Sequence, residues 1–163
     1  MADTDVYQLS EAMCQEIDHW VAKFPPERKQ SALLASLHIV QREKGWLSTA
    51  QLNAVAAYLN LPEVTVYEVA TFYSMYDLQP VGRHKIYLCN NISCMLNGSE
   101  KLSDHVKTKL GIDFDETTAD GRFTLKHAEC LAACAGAPAA QIDGVHHEQL
   151  TPETIDKIID SLD

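Results

Sequence analysis

The chain has 163 residues, 46% of them hydrophobic, and a formal net charge of -10 at pH 7. That length can bury a full hydrophobic core without the help of disulfides, and no apolar run approaches the 18 or so residues of a membrane span. The acidic charge is spread along the chain, which argues against a nucleic-acid surface, against attraction to anionic lipid and against direct membrane insertion.

The opening residues, "MADTDVYQLSEAMCQEIDHW", lack the basic start and apolar centre of a secretory signal and are not the Arg-rich pattern of a transit peptide. The expected location is cytoplasmic. In that compartment five cysteines point to thiol, metal or redox chemistry rather than structural disulfides.

Met13, Ile17, Trp20, Val21 and Phe24 recur at helical spacing, "FPPER" breaks the pattern, and Leu33, Leu34, Leu37 and Val40 resume it. Gly45 ends this second helix. Ser48 is a good N-cap for a third, with Leu52, Val55, Ala56 and Leu59 on one face. Pro62 and Glu63 open a fourth, "EVTVYEVATFYSMY", which puts Phe72, Tyr73 and Tyr76 on one helical face as core or subunit interface. Residues 1–80 therefore form a helical bundle.

Beyond Pro80 the pattern is mixed. "KIYLC" is a short strand, "GSEKLSDHVKTKLG" a helix closed by Gly111, and "GRFTLKHAEC" contains a strand with Phe123 and Leu125 facing one way. "AAQIDGVHHEQL" reads as a hairpin turning at Asp143 and Gly144, and Thr151 with Pro152 opens a last helix. The fold class is α+β: an N-terminal helical bundle, then a small thioredoxin-like α/β domain over residues 81–163.

Four cysteines carry the chemistry. Cys89 and Cys94 enclose four residues at the end of the first strand, and Cys130 and Cys134 enclose three after the second. If those strands are neighbours, the two pairs converge, and four converging thiolates repel one another unless a cationic centre lies between them. Structural zinc prefers tighter knuckles, so zinc is weakened but stays open. A plant-type ferredoxin motif fails because position 97 is Asn, and a dithiol oxidoreductase lacks its C-x2-C. A 2Fe-2S cluster is the leading reading, beside ordinary buried cysteines, a regulatory disulfide and a zinc-stabilised adaptor.

The run C-x4-C, then 35 residues, then C-x3-C, with "YLCNNISCMLNG", "GRFTLKHAECLAACAGAP" and "VYEVATFYSMYDLQPVGRHKIYLC", resembles the family of 24 kDa 2Fe-2S subunits of respiratory NADH:quinone oxidoreductase, complex I. The resemblance spans nearly the whole chain. It implies a thioredoxin-like ferredoxin domain after a helical bundle, with Cys89, Cys94, Cys130 and Cys134 as ligands of one 2Fe-2S cluster and no catalytic residue. It further implies a flavin-bearing, NADH-binding partner subunit that holds FMN and NADH, other iron-sulfur subunits of a peripheral arm, and a place on the cytoplasmic face of the inner membrane held through the complex. The same module occurs in NAD-linked hydrogenases and formate dehydrogenases. Its expected role is one-electron transfer, either as a relay or as a side store for flavin electrons, and the resemblance favours the store.

The chain shows no G-x-G-x-x-G turn and no P-loop, so NADH is not expected to bind here. Cys14 has no partner in the pattern and is expected to be an ordinary thiol. His127 precedes Cys130 by three residues and reads as a surface histidine, and His146 and His147 point to opposite faces of an extended segment. Gly98 and Gly136 serve turn geometry or a close backbone approach to sulfur, and Pro138 stands where a thioredoxin-like domain places a cis-proline.

Overall fold

The computed structural model describes residues 7–162; the acidic residues 1–6 and Asp163 lie outside them. The chain divides into two compact units, Met1–Pro80 and Val81–Asp163.

The first unit is helical. Helix α1 (Glu11–Val21) starts where the Ser10 hydroxyl accepts from the Met13 N–H at 3.3 Å, and it buries Met13 and Ile17. Trp20, expected on the same face, is exposed and carries the Lys23 ammonium 3.5 Å from its ring centroid. The proline break is not bare loop: Pro26–Ala32 winds as a 3-10 segment that leads into α2 (Leu33–Lys44). Leu33, Leu37 and Val40 enter the core, whereas Leu34 stays partly exposed. Gly45, at φ 78°, ends α2, and Ser48 and Gln51 cap α3 (Thr49–Leu59) reciprocally.

Helix α4 (Glu63–Phe72) is shorter than the sequence suggests, because Tyr73 is extended at φ -90° and ψ 117°. Phe72, Tyr73 and Tyr76 therefore do not share a helical face. Phe72 is 80% exposed, while Tyr76 is 5% exposed and donates its hydroxyl to the Leu34 carbonyl at 2.8 Å. The buried Gln41 side chain holds the turned segment, donating to the Met75 carbonyl at 2.9 Å and accepting from the Asp77 N–H at 2.7 Å. Five β-branched residues in α4 (Val64, Thr65, Val66, Val69 and Thr71) weaken its hold on the last turn, so these tertiary bonds decide where it stops.

The second unit is a four-stranded sheet in the order β2-β1-β3-β4, with strands β1 (His84–Cys89), β2 (Phe123–Ala128), β3 (Ala140–Ile142) and β4 (Val145–His147). β1 runs parallel to β2 and antiparallel to β3. The parallel pair needs a crossover, supplied by the short α5 (Ile92–Leu96) and by α6 (Ser99–Leu110). Ile86, Leu88, Phe123 and Leu125 pack with Leu102 and Val106 of α6 and with Ile155 and Ile159 of α7 (Pro152–Asp160) in one core. The β3–β4 turn has Asp143 at φ 49° and Gly144 at φ 84°, the two positive values that a tight hairpin matching strand twist requires. The Ala137–Pro138 bond is cis.

Replacing Gln41 by Leu keeps its bulk but leaves the Asp77 N–H and the Met75 carbonyl without that partner. Urea unfolding of the Gln41→Leu chain is expected to show a loss of about 1–3 kcal/mol; an unchanged midpoint would show that the bridge does not hold the α4 exit.

Candidate metal centre

Both cysteine pairs hang from the same end of the sheet. In the parallel register Cys89, the last residue of β1, lies opposite Ala128, the last of β2. Chain continuity then launches one loop toward Cys94 and the other toward Cys130 and Cys134. The Cys89 N–H donates to the Ala139 carbonyl at 3.1 Å and the Asn90 N–H to the Ala128 carbonyl at 3.2 Å, so the first loop is anchored on both neighbouring segments.

Asn91 then does two things. Its side-chain oxygen accepts from the Ile92 N–H at 2.9 Å, capping α5, and its amide donates to the Glu129 carbonyl at 2.7 Å. One side chain thus starts the helix that carries Cys94 and ties that loop to the residue before Cys130. Sequence reading missed both α5 and this link, although an Asn before a short apolar run is a helix-start signal.

Cys89 and Cys94 are buried and packed with Ala139, against Leu131, Ala133 and Ala137. Burial pushes the Cys94 thiol up from its ordinary value, and a hydrogen bond with Cys89 adds to this, while the Ala139 N–H at the Cys94 sulfur pulls it down; the nearby Cys134 raises it further. Cys130 and Cys134 are exposed. Between them Ala132 adopts φ 58°, the left-handed region that an alanine enters at a cost of about 1–2 kcal/mol. That turn aims the Ala132 N–H at the Cys130 sulfur, 3.3 Å away.

Cys89, Cys94 and Cys134 are thus neighbours, with Cys130 on the adjoining turn. Among the described residues no three His, Cys, Asp or Glu side chains are drawn together tightly enough to hold a bare metal ion. The donor set nevertheless suits an iron-sulfur centre: four free thiols on two loops joined through Asn91, with amide N–H groups already directed at two of the sulfurs. Cys14 belongs to the other unit, on α1.

The remaining candidates have other occupations. The His127 ring meets Phe114 edge-on with centroids 5.6 Å apart and lies 3.7 Å from Glu129. His146 contacts Gln141 at 2.9 Å. Gly98 makes the left-handed turn between α5 and α6. Gly136 follows Cys134 by two residues and leaves room for Glu148: a methyl group built there would stand 2.7 Å from the Glu148 Cβ. The segment after β4 runs along this loop, with the Gln149 N–H on the Gly136 carbonyl at 2.6 Å and the Leu150 N–H on the Pro138 carbonyl at 3.0 Å.

A sequence profile of the thioredoxin-like 2Fe-2S ferredoxins matches residues 17–163. The chain belongs to that family. It is 45% identical over 143 residues to an NADH-quinone oxidoreductase subunit of Rickettsia bellii, covering 87% of this chain and 86% of that protein. It is 44% identical over 149 residues to the corresponding NADH-quinone oxidoreductase subunit of Rhizobium meliloti, covering 91% and 88%. Among solved structures, an NAD+-reducing NiFe hydrogenase in its air-oxidised state aligns with a TM-score of 0.69 and 26% identity over 78% of this chain. This chain spans only 22% of that hydrogenase chain. No helix among the described residues is long and apolar enough to cross a membrane.

The burial asymmetry gives a direct expectation. In the cluster-free chain under reducing conditions, a brief pulse of iodoacetamide should label Cys130 and Cys134 before Cys89 and Cys94, as read by peptide mass spectrometry. Equal labelling of all four would contradict the buried placement of the first pair.

Proposed function

We propose that this chain is the electron-carrying subunit of an NADH-quinone oxidoreductase and that Cys89, Cys94, Cys130 and Cys134 hold one 2Fe-2S cluster. The observation that carries this reading is the launching of both cysteine pairs from adjacent ends of β1 and β2 in a chain of the 2Fe-2S ferredoxin family. Similarity to the Rickettsia bellii oxidoreductase subunit at 45% identity over most of both lengths favours that parent complex over the hydrogenase, at 26% identity.

When bound, the cluster supplies one-electron redox chemistry. The chain's own residues do the rest. The four thiolates supply charge and ligation, the Ala132 N–H donates to the Cys130 sulfur at 3.3 Å, and the Ala139 N–H offsets part of the burial that pushes the Cys94 thiol up. Ala139, Leu131, Ala133 and Ala137 pack the inner side with apolar atoms, which limits water around Cys89 and Cys94. The outer side stays open at Cys130 and Cys134, where an electron partner reaches the site.

That partner is a flavin-bearing subunit that binds FMN and NADH; this chain holds neither. Hydride chemistry needs a flavin or nicotinamide held against the donor, so it lies with the partner. Together with other iron-sulfur subunits the pair forms a peripheral arm on the cytoplasmic face of the membrane, to which the chain is held by protein contacts. The helical unit supplies the docking surface through Phe72, which is 80% exposed at the end of α4 with Tyr73 edge-on beside it at 5.1 Å.

Two experiments test this. Iron and acid-labile sulfide are expected at about two each per parent chain; single Cys→Ser changes at 89, 94, 130 and 134 should each lower occupancy or alter the visible and EPR spectra, and Cys14→Ser should do neither. Zinc without sulfide, or a loss at Cys14 equal to the others, overturns the assignment. Separately, Phe72→Asp should keep iron while reducing co-purification with the flavin-bearing partner by at least about tenfold, the loss of a central aromatic anchor. Undiminished co-purification would remove Phe72 from the interface.

A further inference from the structure

The Glu148 carboxylate is placed over the loop of the second cysteine pair by backbone geometry rather than by a partner. Its Cβ and Cδ occupy the space beside Gly136, at 2.7 and 2.6 Å from where a methyl group would stand. The Gln149 N–H bond to the Gly136 carbonyl fixes this approach from the next residue, so the stem of the glutamate has little freedom to leave. The side chain remains exposed to solvent, as does that of the neighbouring acid. Glu129, directly before Cys130, is 86% exposed and faces His127 at 3.7 Å. Among the described residues Glu148 has no hydrogen-bond or ion-pair partner.

We propose that Glu148 is a potential-setting residue: an uncompensated negative charge beside the loop that carries Cys134, which disfavours adding an electron to the centre. The proposal rests on the 2Fe-2S reading of the four cysteines. Net charge near the cluster is one of the terms that set its reduction potential, and a unit charge at this solvent-exposed edge, beside the loop of Cys134, is screened only in part. Glu148 acts on the centre through space without touching it. Gly136 is the companion position, since any side chain there must displace the carboxylate.

The test is a redox titration of the full chain with its cluster loaded, followed by EPR of the reduced form, on the parent, Glu148→Gln, Gly136→Ala and, as a net-charge control, Asp104→Asn on the exposed side of α6. Gln keeps the shape and packing of Glu and removes only the charge. The expected result is a higher midpoint potential for Glu148→Gln, equivalent to about a three- to tenfold larger reduced-to-oxidised ratio at fixed ambient potential. Iron content and g-values should be unchanged, and the difference from the parent should shrink at high salt. Gly136→Ala should move the potential in the same direction, and Asp104→Asn should leave it near the parent. An unmoved potential in Glu148→Gln with iron retained overturns the proposal, as does an equal shift in Asp104→Asn. A parent chain that assembles no 2Fe-2S cluster overturns both this inference and the reading beneath it, whereas a loaded parent with an unresponsive Glu148→Gln overturns the inference alone.

Discussion

The parallel pairing of β1 with β2 is the constraint from which the site follows. Its register sets Ile86 opposite Leu125 and Cys89 opposite Ala128. Strand side chains alternate, so a slip of one residue would turn Ile86 and Leu88 out of the core they share with α6 and α7. Each such side chain contributes about 1.5–3 kcal/mol by burial, so the core holds the register firmly. The cysteines inherit that precision without contributing to it. Both loops must leave from one end of the sheet because the apolar residues behind them admit no other alignment.

Past the strand ends, the means of control changes from packing to local hydrogen bonding. Asn91 joins the two loops, Ala132 takes a left-handed turn to direct its N–H at Cys130, and residues 148–150 lie along 136–138 by two backbone bonds. An alanine in the left-handed region is a small strain, and the surrounding bonds hold it there. The second cysteine loop is therefore placed by its neighbours in space. This explains why a stretch as featureless as "CLAACAGAP" has a defined shape, since its side chains contribute little and its backbone is held at Ala132, Gly136 and Pro138.

Sequence patterns revealed what depends on a single element. Gly45, Ser48, Asp143–Gly144 and Thr151–Pro152 mark ends and turns by conformational preferences that act locally, and each sits where the structure uses it. Cysteine spacing likewise identified the two pairs. What was not legible depends on distant partners or on elements too short to show a period. Helix α5 has five residues, little more than one turn, so no amphipathic repeat could announce it. The end of α4 is decided by Gln41, bound to the Met75 carbonyl 34 positions along the chain, so the apparent helical spacing of Phe72, Tyr73 and Tyr76 misled. Trp20 and Leu34 fit the periodic stripe and yet lie partly in solvent, because periodicity finds a face but not how far its cover extends.

The site is electrically lopsided, and this bears on how it works. Cys89 and Cys94 are buried among apolar atoms, where solvent screens charge weakly; Cys130 and Cys134 are exposed, where water screens it well. Covering the exposed pair would displace that water and lower the effective dielectric on the side where Glu129 and Glu148 stand. Glu129 lies 3.7 Å from the His127 ring, whereas Glu148 lies against Gly136. The charge balance at the four sulfurs is therefore set partly by this chain and partly by whatever covers the exposed pair.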